Sequence, residues 1–145
     1  MSYHGEILTY TPGDLDFTVV YAVIVSGDFP NPCGHALLFA PRQYAISSSD
    51  GSYFQVAEMN GYPLIMSERG YGRYLRTNRK TEITRYAVSL PNPDGAINRL
   101  VEVMQKKWLW MVLPHNCAAF VEDIVRAGGS SAGLYSNCPR LEKFK

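Results

Sequence analysis

The segment PHNCAAFVEDIVRAGG, residues 114–129, carries the clearest secondary-structure signal in the chain. Apolar side chains recur in it at positions i, i+3, i+4, i+7 and i+8, the spacing of one face of an α-helix. These side chains are Cys117, Phe120, Val121, Ile124 and Val125. Asn116 is a favourable N-cap, and Gly128-Gly129 is a favourable C-terminal stop. We therefore predict a helix over 117–127 that packs this stripe against the rest of the domain.

Four segments upstream of this helix predict β-strands, because they are rich in β-branched and aromatic residues and are bounded by turn residues. They are FTVVYAVIV (17–25), GHALLFA (34–40), SYFQVAEM (52–59) and EITRYAVSL (82–90). A second helical stripe, with Asp94 as its cap, predicts a helix over 96–108. Residues 61–81 show no clear period, so we predict a loop there with at most a short helical turn.

The composition fits one globular domain spanning residues 1–145. The chain is 46% hydrophobic and 19% charged, so it can bury a core. Strands that precede helices along such a chain indicate the α+β class. The net charge is only +1, and the densest basic cluster is Arg69, Arg73, Arg76, Arg79 and Lys80. We interpret this cluster as a solvated loop, with anion contact as the alternative, and expect no nucleic-acid partner.

Targeting signals and cysteines bear on where the protein works. The first residues lack the basic and apolar regions of a secretory signal, and the longest apolar run, Val19–Val25, is shorter than the ~20 residues of a membrane span. We expect no integral membrane segment and a cytoplasmic location in the producer, with export by a specialised secretion system as an extension. Of the three cysteines, Cys33, Cys117 and Cys138, at least one stays unpaired in a monomer. A Cys33–Cys138 disulfide is left open.

Cys117 is the candidate nucleophile. In the first turn of the predicted helix, unpaired backbone N–H groups and the helix dipole favour negative charge, so we expect a lowered pKa for its thiol. The stripe directs the sulfur toward the sheet, where a second group can meet it. The alternative is a buried structural cysteine, since free cysteine is among the most buried residue types.

The candidate base is a histidine. His35 opens a predicted strand on the sheet that packs against the helix, whereas His115 precedes the helix cap and His4 lies in an end that we expect to be frayed. An orienting group should follow on the next strand, where Gln55 and Glu58 face opposite sides. We rank Glu58 first because a buried acid needs a partner.

These residues resemble a known superfamily. A strand that begins with histidine, a polar residue on the next strand and NCAAFVEDI opening a helix resemble the circularly permuted branch of the papain-like, NlpC-type cysteine hydrolases. NCAAFVEDI is similar to the Asn-Cys-Glu-His-Phe-Val signature of lecithin retinol acyltransferase-like proteins, and FQVAEMNG to a strand that supplies a Glu in bacterial relatives. The resemblance spans roughly residues 30–128.

The resemblance implies a permuted papain-like fold, with an antiparallel sheet of about four to six strands against the nucleophile-bearing helix. It also implies Cys117 as nucleophile, His35 as base and Glu58 as orienting residue, with no cofactor. Candidate substrate-binding or oxyanion groups are the backbone N–H of Cys117 and the side chains of Asn116, Gln55, Tyr10 and Tyr21.

The residues after the nucleophile decide which relatives are the better guide. Ala118-Ala119 stand where the acyltransferase-like signature has Glu-His, which disfavours lipid acyl transfer and leaves room for a bulky amide. Bacterial relatives act on peptidoglycan stem peptides, so the expected activity is a peptidoglycan amidase or endopeptidase. Some relatives are exported antibacterial effectors, which would bring an inhibitory immunity protein as partner.

Three alternatives stay open. One is an acyltransferase or thioesterase of the same fold. Another is a zinc site built from Cys33, His35, Cys117 and Cys138, although Cys-x-His lacks the usual metal-binding spacing. The third is a non-catalytic binding module that uses the tyrosine-rich stretch 62–74.

Overall fold

The computed structural model describes residues 2–8, 13–27, 33–43, 50–57, 61–107, 116–134 and 138–145. Five strands and three helices lie within these ranges. In chain order they are β1 (Val19–Val25), β2 (His35–Pro41), β3 (Gly51–Gln55), β4 (Leu64–Ser67), α1 (Glu68–Thr77), β5 (Glu82–Ser89), α2 (Pro93–Met104) and α3 (Asn116–Ala127). The predicted α+β class is confirmed.

The strands form one antiparallel sheet in the order β4-β3-β2-β1-β5. Side chains alternate between its two faces, as they do along any strand. One face packs Ala36, Leu38 and Phe54 against α2 and α3, and the other packs Leu37 and its neighbours against α1. The sheet is therefore covered on both sides, which explains the nearly continuous apolar runs of β1 and β2.

Helix α3 forms where the periodicity predicts it. The side chains of Phe120, Val121, Ile124 and Val125 are fully buried against the sheet. The helix ends before Gly129, whose φ of +88° is favourable only for glycine, and the N–H of Ser130 donates to the carbonyl of Val125 at 2.9 Å. The predicted stripe and C-terminal stop are both confirmed.

The prediction of a loop over 61–81 is wrong. This segment contains β4 and the whole of α1, which begins at a cap where Ser67 accepts a hydrogen bond from the N–H of Gly70. Its buried residues are Tyr71 and Tyr74 rather than aliphatic side chains, and the helix contains two glycines that weaken helix propensity. A stripe of two tyrosines is too sparse to be recognised as a helical period.

Other predicted boundaries shift by a few residues. The cap of α2 is Asn92, whose side chain accepts from the N–H of Gly95, so the prediction of Asp94 as cap is wrong. Asp94 lies instead in the first turn, where its charge favours the positive end of the helix dipole. Strand β3 ends at Gln55, earlier than predicted.

A disulfide joins Cys33 to Cys138 across a sequence separation of 105 residues. Next to it, the N–H of Arg140 donates to the carbonyl of Cys33 at 2.9 Å. Further along, Phe144 is only 3% exposed and packs into the core on the α3 side. The C-terminal segment is thus tied to the start of β2, two residues before His35.

A network of partly buried polar side chains joins α1 to the sheet beneath it. Arg85 donates to Glu82 and to the hydroxyl of Tyr53, and the hydroxyl of Tyr71 donates to Glu82 at 2.6 Å. The hydroxyl of Tyr53 also donates to Glu68 at 3.2 Å. Burial raises the pKa of Glu82, but the hydrogen bonds from Arg85 and Tyr71 outweigh it, so that this pKa lies below its ordinary value. The carboxylate thus stays charged beneath the helix.

Candidate active site

Cys117 lies in the first turn of α3 and packs against the core on that side of the sheet. It is a free cysteine and is half-buried. The backbone of Ala36 in β2 and that of Ala118 lie near enough to its sulfur to favour the thiolate form. The helix therefore brings the thiol to β2 at the residue that follows His35.

Burial raises the pKa of the Cys117 thiol, although hydrogen bonds from the backbone of Ala36 and Ala118 act in the opposite direction. The prediction of a lowered pKa is therefore wrong. The helix N-terminus does favour the thiolate, but the helix also packs its first turn against the sheet, where the charged form loses its hydration. Burial thus favours the neutral thiol over the thiolate.

The raised pKa predicts the pH dependence of Cys117 alkylation. Because only the thiolate reacts, the rate with iodoacetamide should rise with a midpoint above the ordinary thiol value of about 8.5. The measurement is the alkylation rate of the non-reduced protein between pH 6 and 11. The urea-unfolded protein serves as control and should return to the ordinary midpoint. A native midpoint below 8.5 would instead indicate a resting thiolate.

His35 and Gln55 form a short polar contact at the start of β2. The Nε2 atom of His35 lies 2.7 Å from Oε1 of Gln55, and Nε2 of Gln55 donates to the carbonyl of His4 at 2.9 Å. Gln55 is only 1% exposed. A buried amide with both ends bonded is held in one orientation, and it fixes the histidine ring in turn.

This arrangement also determines the tautomer of His35. The carbonyl of His4 can only accept a hydrogen bond, so the amide nitrogen of Gln55 must face it and the amide oxygen must face His35. The Nε2 atom of His35 therefore carries the hydrogen in that bond. In the neutral ring the lone pair is then on Nδ1, which is the atom able to take a proton.

The two halves of the site approach β2 from different faces of the sheet. By strand alternation, His35 shares the face of Leu37, which α1 covers. Cys117 reaches the backbone of Ala36 from the face that α3 covers. The pairing between β2 and β3 begins at Leu38, so the first residues of β2, including His35, are not paired with β3.

The other predicted site residues are distributed as follows. Tyr10, Glu58 and His115 are outside the described residues, and so is the side chain of Asn116. Strand β3 ends at Gln55, three positions before Glu58 in the sequence. Tyr21 pairs with Phe39, four residues along β2 from His35, and is therefore about 13 Å away along the strand. The structure does not bring Tyr21 to His35.

Two features of the site differ from the sequence-based ranking. Gln55, which the sequence ranks after Glu58, is the residue that hydrogen-bonds His35. Its amide lies between the buried residues Phe54 and Val56, and a buried amide needs hydrogen-bond partners. The expectation that His4 lies in a frayed end is wrong, because its carbonyl accepts from Gln55 and its ring lies 6.1 Å from that of Tyr74. A backbone acceptor brought in by tertiary packing leaves no pattern in the sequence.

The zinc alternative is not supported by the cysteine pairing. Cys33 and Cys138 are bonded to each other, so their sulfurs are not available as thiolate ligands. Within the described ranges, no group of three or more His, Cys, Asp or Glu side chains is arranged to hold a metal ion.

Comparison with known proteins adds no further information. Protein-family models, curated proteins and solved structures were compared with the chain, and none of the three comparisons finds a match. Among the helices that the structure describes, none has the length and apolar character needed to cross a membrane.

Proposed function

We propose that this protein is a cysteine hydrolase of the permuted papain-like type that cleaves an amide bond. The observation that carries the proposal is the oriented His35–Gln55 pair at the start of β2, one residue before Ala36, whose backbone lies near the Cys117 sulfur. A histidine fixed through Nε2 and able to accept at Nδ1 is what a thiol needs as its general base.

The reaction begins with transfer of the thiol proton of Cys117 to Nδ1 of His35. The proposed transfer requires the two side chains, which leave different faces of the sheet, to meet around the start of β2, beyond the end of the β2–β3 ladder. The sulfur attacks the carbonyl carbon of the substrate, and the backbone N–H of Cys117 at the start of α3 helps to stabilise the oxyanion. The amine leaves with the proton from His35 and a thioester remains.

Hydrolysis of the thioester completes the cycle. A water molecule gives one proton to His35 while its oxygen attacks the thioester carbonyl, and the acid product leaves as the proton returns to the Cys117 sulfur. Since burial favours the neutral thiol, His35 acts as a general base during attack rather than as the partner of a preformed thiolate. Throughout the cycle Gln55 keeps the Nε2 side of the ring hydrogen-bonded.

Peptidoglycan stem peptides are the substrate class that we propose. The residues after the nucleophile are Ala118 and Ala119, which are small and lie in the first turn of α3. The Cys33–Cys138 disulfide fits a protein that works in an oxidising compartment such as the bacterial periplasm, where the cell wall is located. Export by a specialised secretion system, and an inhibitory immunity protein in the producer, belong to this proposal.

Incubation with purified muropeptides tests the proposed function. We expect new masses that correspond to the addition of one water across an amide bond, and their fragmentation identifies the bond. Acyl transfer would give a product joined to an added amine instead. If the wild-type protein leaves muropeptides, other peptides and acyl esters intact, it is a binding module rather than an enzyme.

A further inference from the structure

The basic cluster of the sequence becomes a charged groove in the structure. Arg69, Arg73 and Arg76 lie on α1 at positions i, i+4 and i+7, so that they share one face of the helix. This face and the N-terminal segment line a groove of about 430 Å³. All three arginines are exposed, and the groove does not include the site at Cys117.

The positive charge of this groove is only partly offset by carboxylates. Within the described part of the chain, none of the three arginines forms an ion pair, whereas Arg42, Arg85, Arg99 and Arg126 all do. Like charges at i, i+4 on a helix destabilise it. A bound anion would relieve this repulsion.

The groove also restrains one of its cations and contains one anion. The guanidinium of Arg73 lies 4.4 Å from the ring centroid of Tyr3, which limits its freedom before any ligand binds. Of the described residues that line this groove, Glu6 is the only one with a carboxylate. Three positive charges and one negative charge give the groove a net charge of about +2, which matches a phosphate group of −1.5 to −2 near pH 7.

We propose that Arg69, Arg73 and Arg76 bind a phosphate group of a polyanionic ligand. A guanidinium donates two parallel hydrogen bonds to neighbouring anion oxygens. Three such groups offer more donors than the two oxygens of one carboxylate can accept, whereas a phosphate has enough acceptors. The site is independent of the proposed hydrolase activity.

Calorimetric titration with inorganic pyrophosphate tests this proposal. The wild-type protein should bind, and the affinity should fall as salt rises, because the contacts are exposed. Each of Arg69→Gln, Arg73→Gln and Arg76→Gln should weaken binding by about fivefold to tenfold, and the triple variant should abolish it. Glu6→Gln should strengthen binding, because it removes the opposing charge.

Arg126→Gln is the matched control, since Arg126 is exposed on α3 and pairs with Glu122. It should bind pyrophosphate like the wild type, and the triple variant should melt at or above the wild-type temperature, because it removes like charges from one helix face. Phosphatidic acid vesicles, compared with phosphatidylcholine vesicles, show whether a lipid headgroup supplies the phosphate. The proposal is overturned if neither pyrophosphate nor phosphatidic acid binds, or if the triple variant binds them as well as the wild type does.

Discussion

Cys117→Ser should lower the turnover of a cleavable amide substrate by a factor of about 10⁴ or more. Serine is nearly isosteric with cysteine, so the packing of the first turn of α3 is retained. Its hydroxyl is far less acidic than a thiol and does not form the attacking anion. The measurement is the initial rate of substrate cleavage, with thermal melting to confirm that the variant is folded.

Arg126→Gln provides the control, because Arg126 is exposed near the opposite end of α3 and pairs with Glu122, away from the candidate site. It should keep turnover within a few-fold of the wild type. Full activity of Cys117→Ser would show that turnover does not require the Cys117 thiol and would overturn the proposed mechanism.

A double variant tests whether the thiol and the imidazole work together. His35→Ala alone should lose activity on the same order as Cys117→Ser. Because the two groups act as one unit in the proposed reaction, the double variant should be about as slow as either single variant. If the activity losses of the two single variants multiply in the double variant, His35 and Cys117 act separately. That result would agree with their positions on different faces of the sheet.

Cys138→Ser should lower the free energy of unfolding by about 2–4 kcal/mol. The Cys33–Cys138 bridge closes a loop with a sequence separation of 105, so its removal gives the unfolded chain much more freedom. It also releases the segment that places Phe144 in the core. For a chain of this length the melting temperature should fall by roughly 10 °C.

Reduction of the wild-type protein should reproduce this loss of stability. Dithiothreitol should lower the melting temperature of the wild type by a similar amount, while the same reductant should leave Cys138→Ser unchanged. Equal melting temperatures for the oxidised and reduced wild type would show that the bridge does not contribute to stability. Cys117 is a free thiol in both the oxidised and the reduced protein, so it does not contribute to the difference in melting temperature.

The local sequence pattern was sufficient to predict a helix where apolar side chains filled one of its faces. The α3 stripe consists of aliphatic and aromatic side chains at strict helical spacing, and it was predicted almost to the residue. In contrast, α1 was missed because its buried face is made of Tyr71 and Tyr74 among arginines and glycines. Tyrosine is frequent on surfaces as well as in cores, so two of them in an arginine-rich segment do not indicate a buried face.

In the candidate site, too, some residues follow from local sequence pattern and others only from tertiary packing. Cys117 and His35 were selected from their positions at the start of a helix and of a strand. The choice between Gln55 and Glu58 depended on where β3 ends, and strand ends are set by pairing with neighbours rather than by the residues of the strand itself. The sign of the thiol pKa shift depended on burial, which outweighs the effect of the helix N-terminus.

The sequence by itself determined the α+β class, most strand positions and the helix that carries Cys117, because hydrophobic periodicity and capping residues act over short distances along the chain. Only the tertiary structure decided the His35–Gln55–His4 hydrogen bonds, the Cys33–Cys138 bridge and the arginine groove. Each of these joins segments that are far apart in sequence. Their geometry depends on how the sheet, the helices and the two terminal segments pack, and no local pattern encodes that packing.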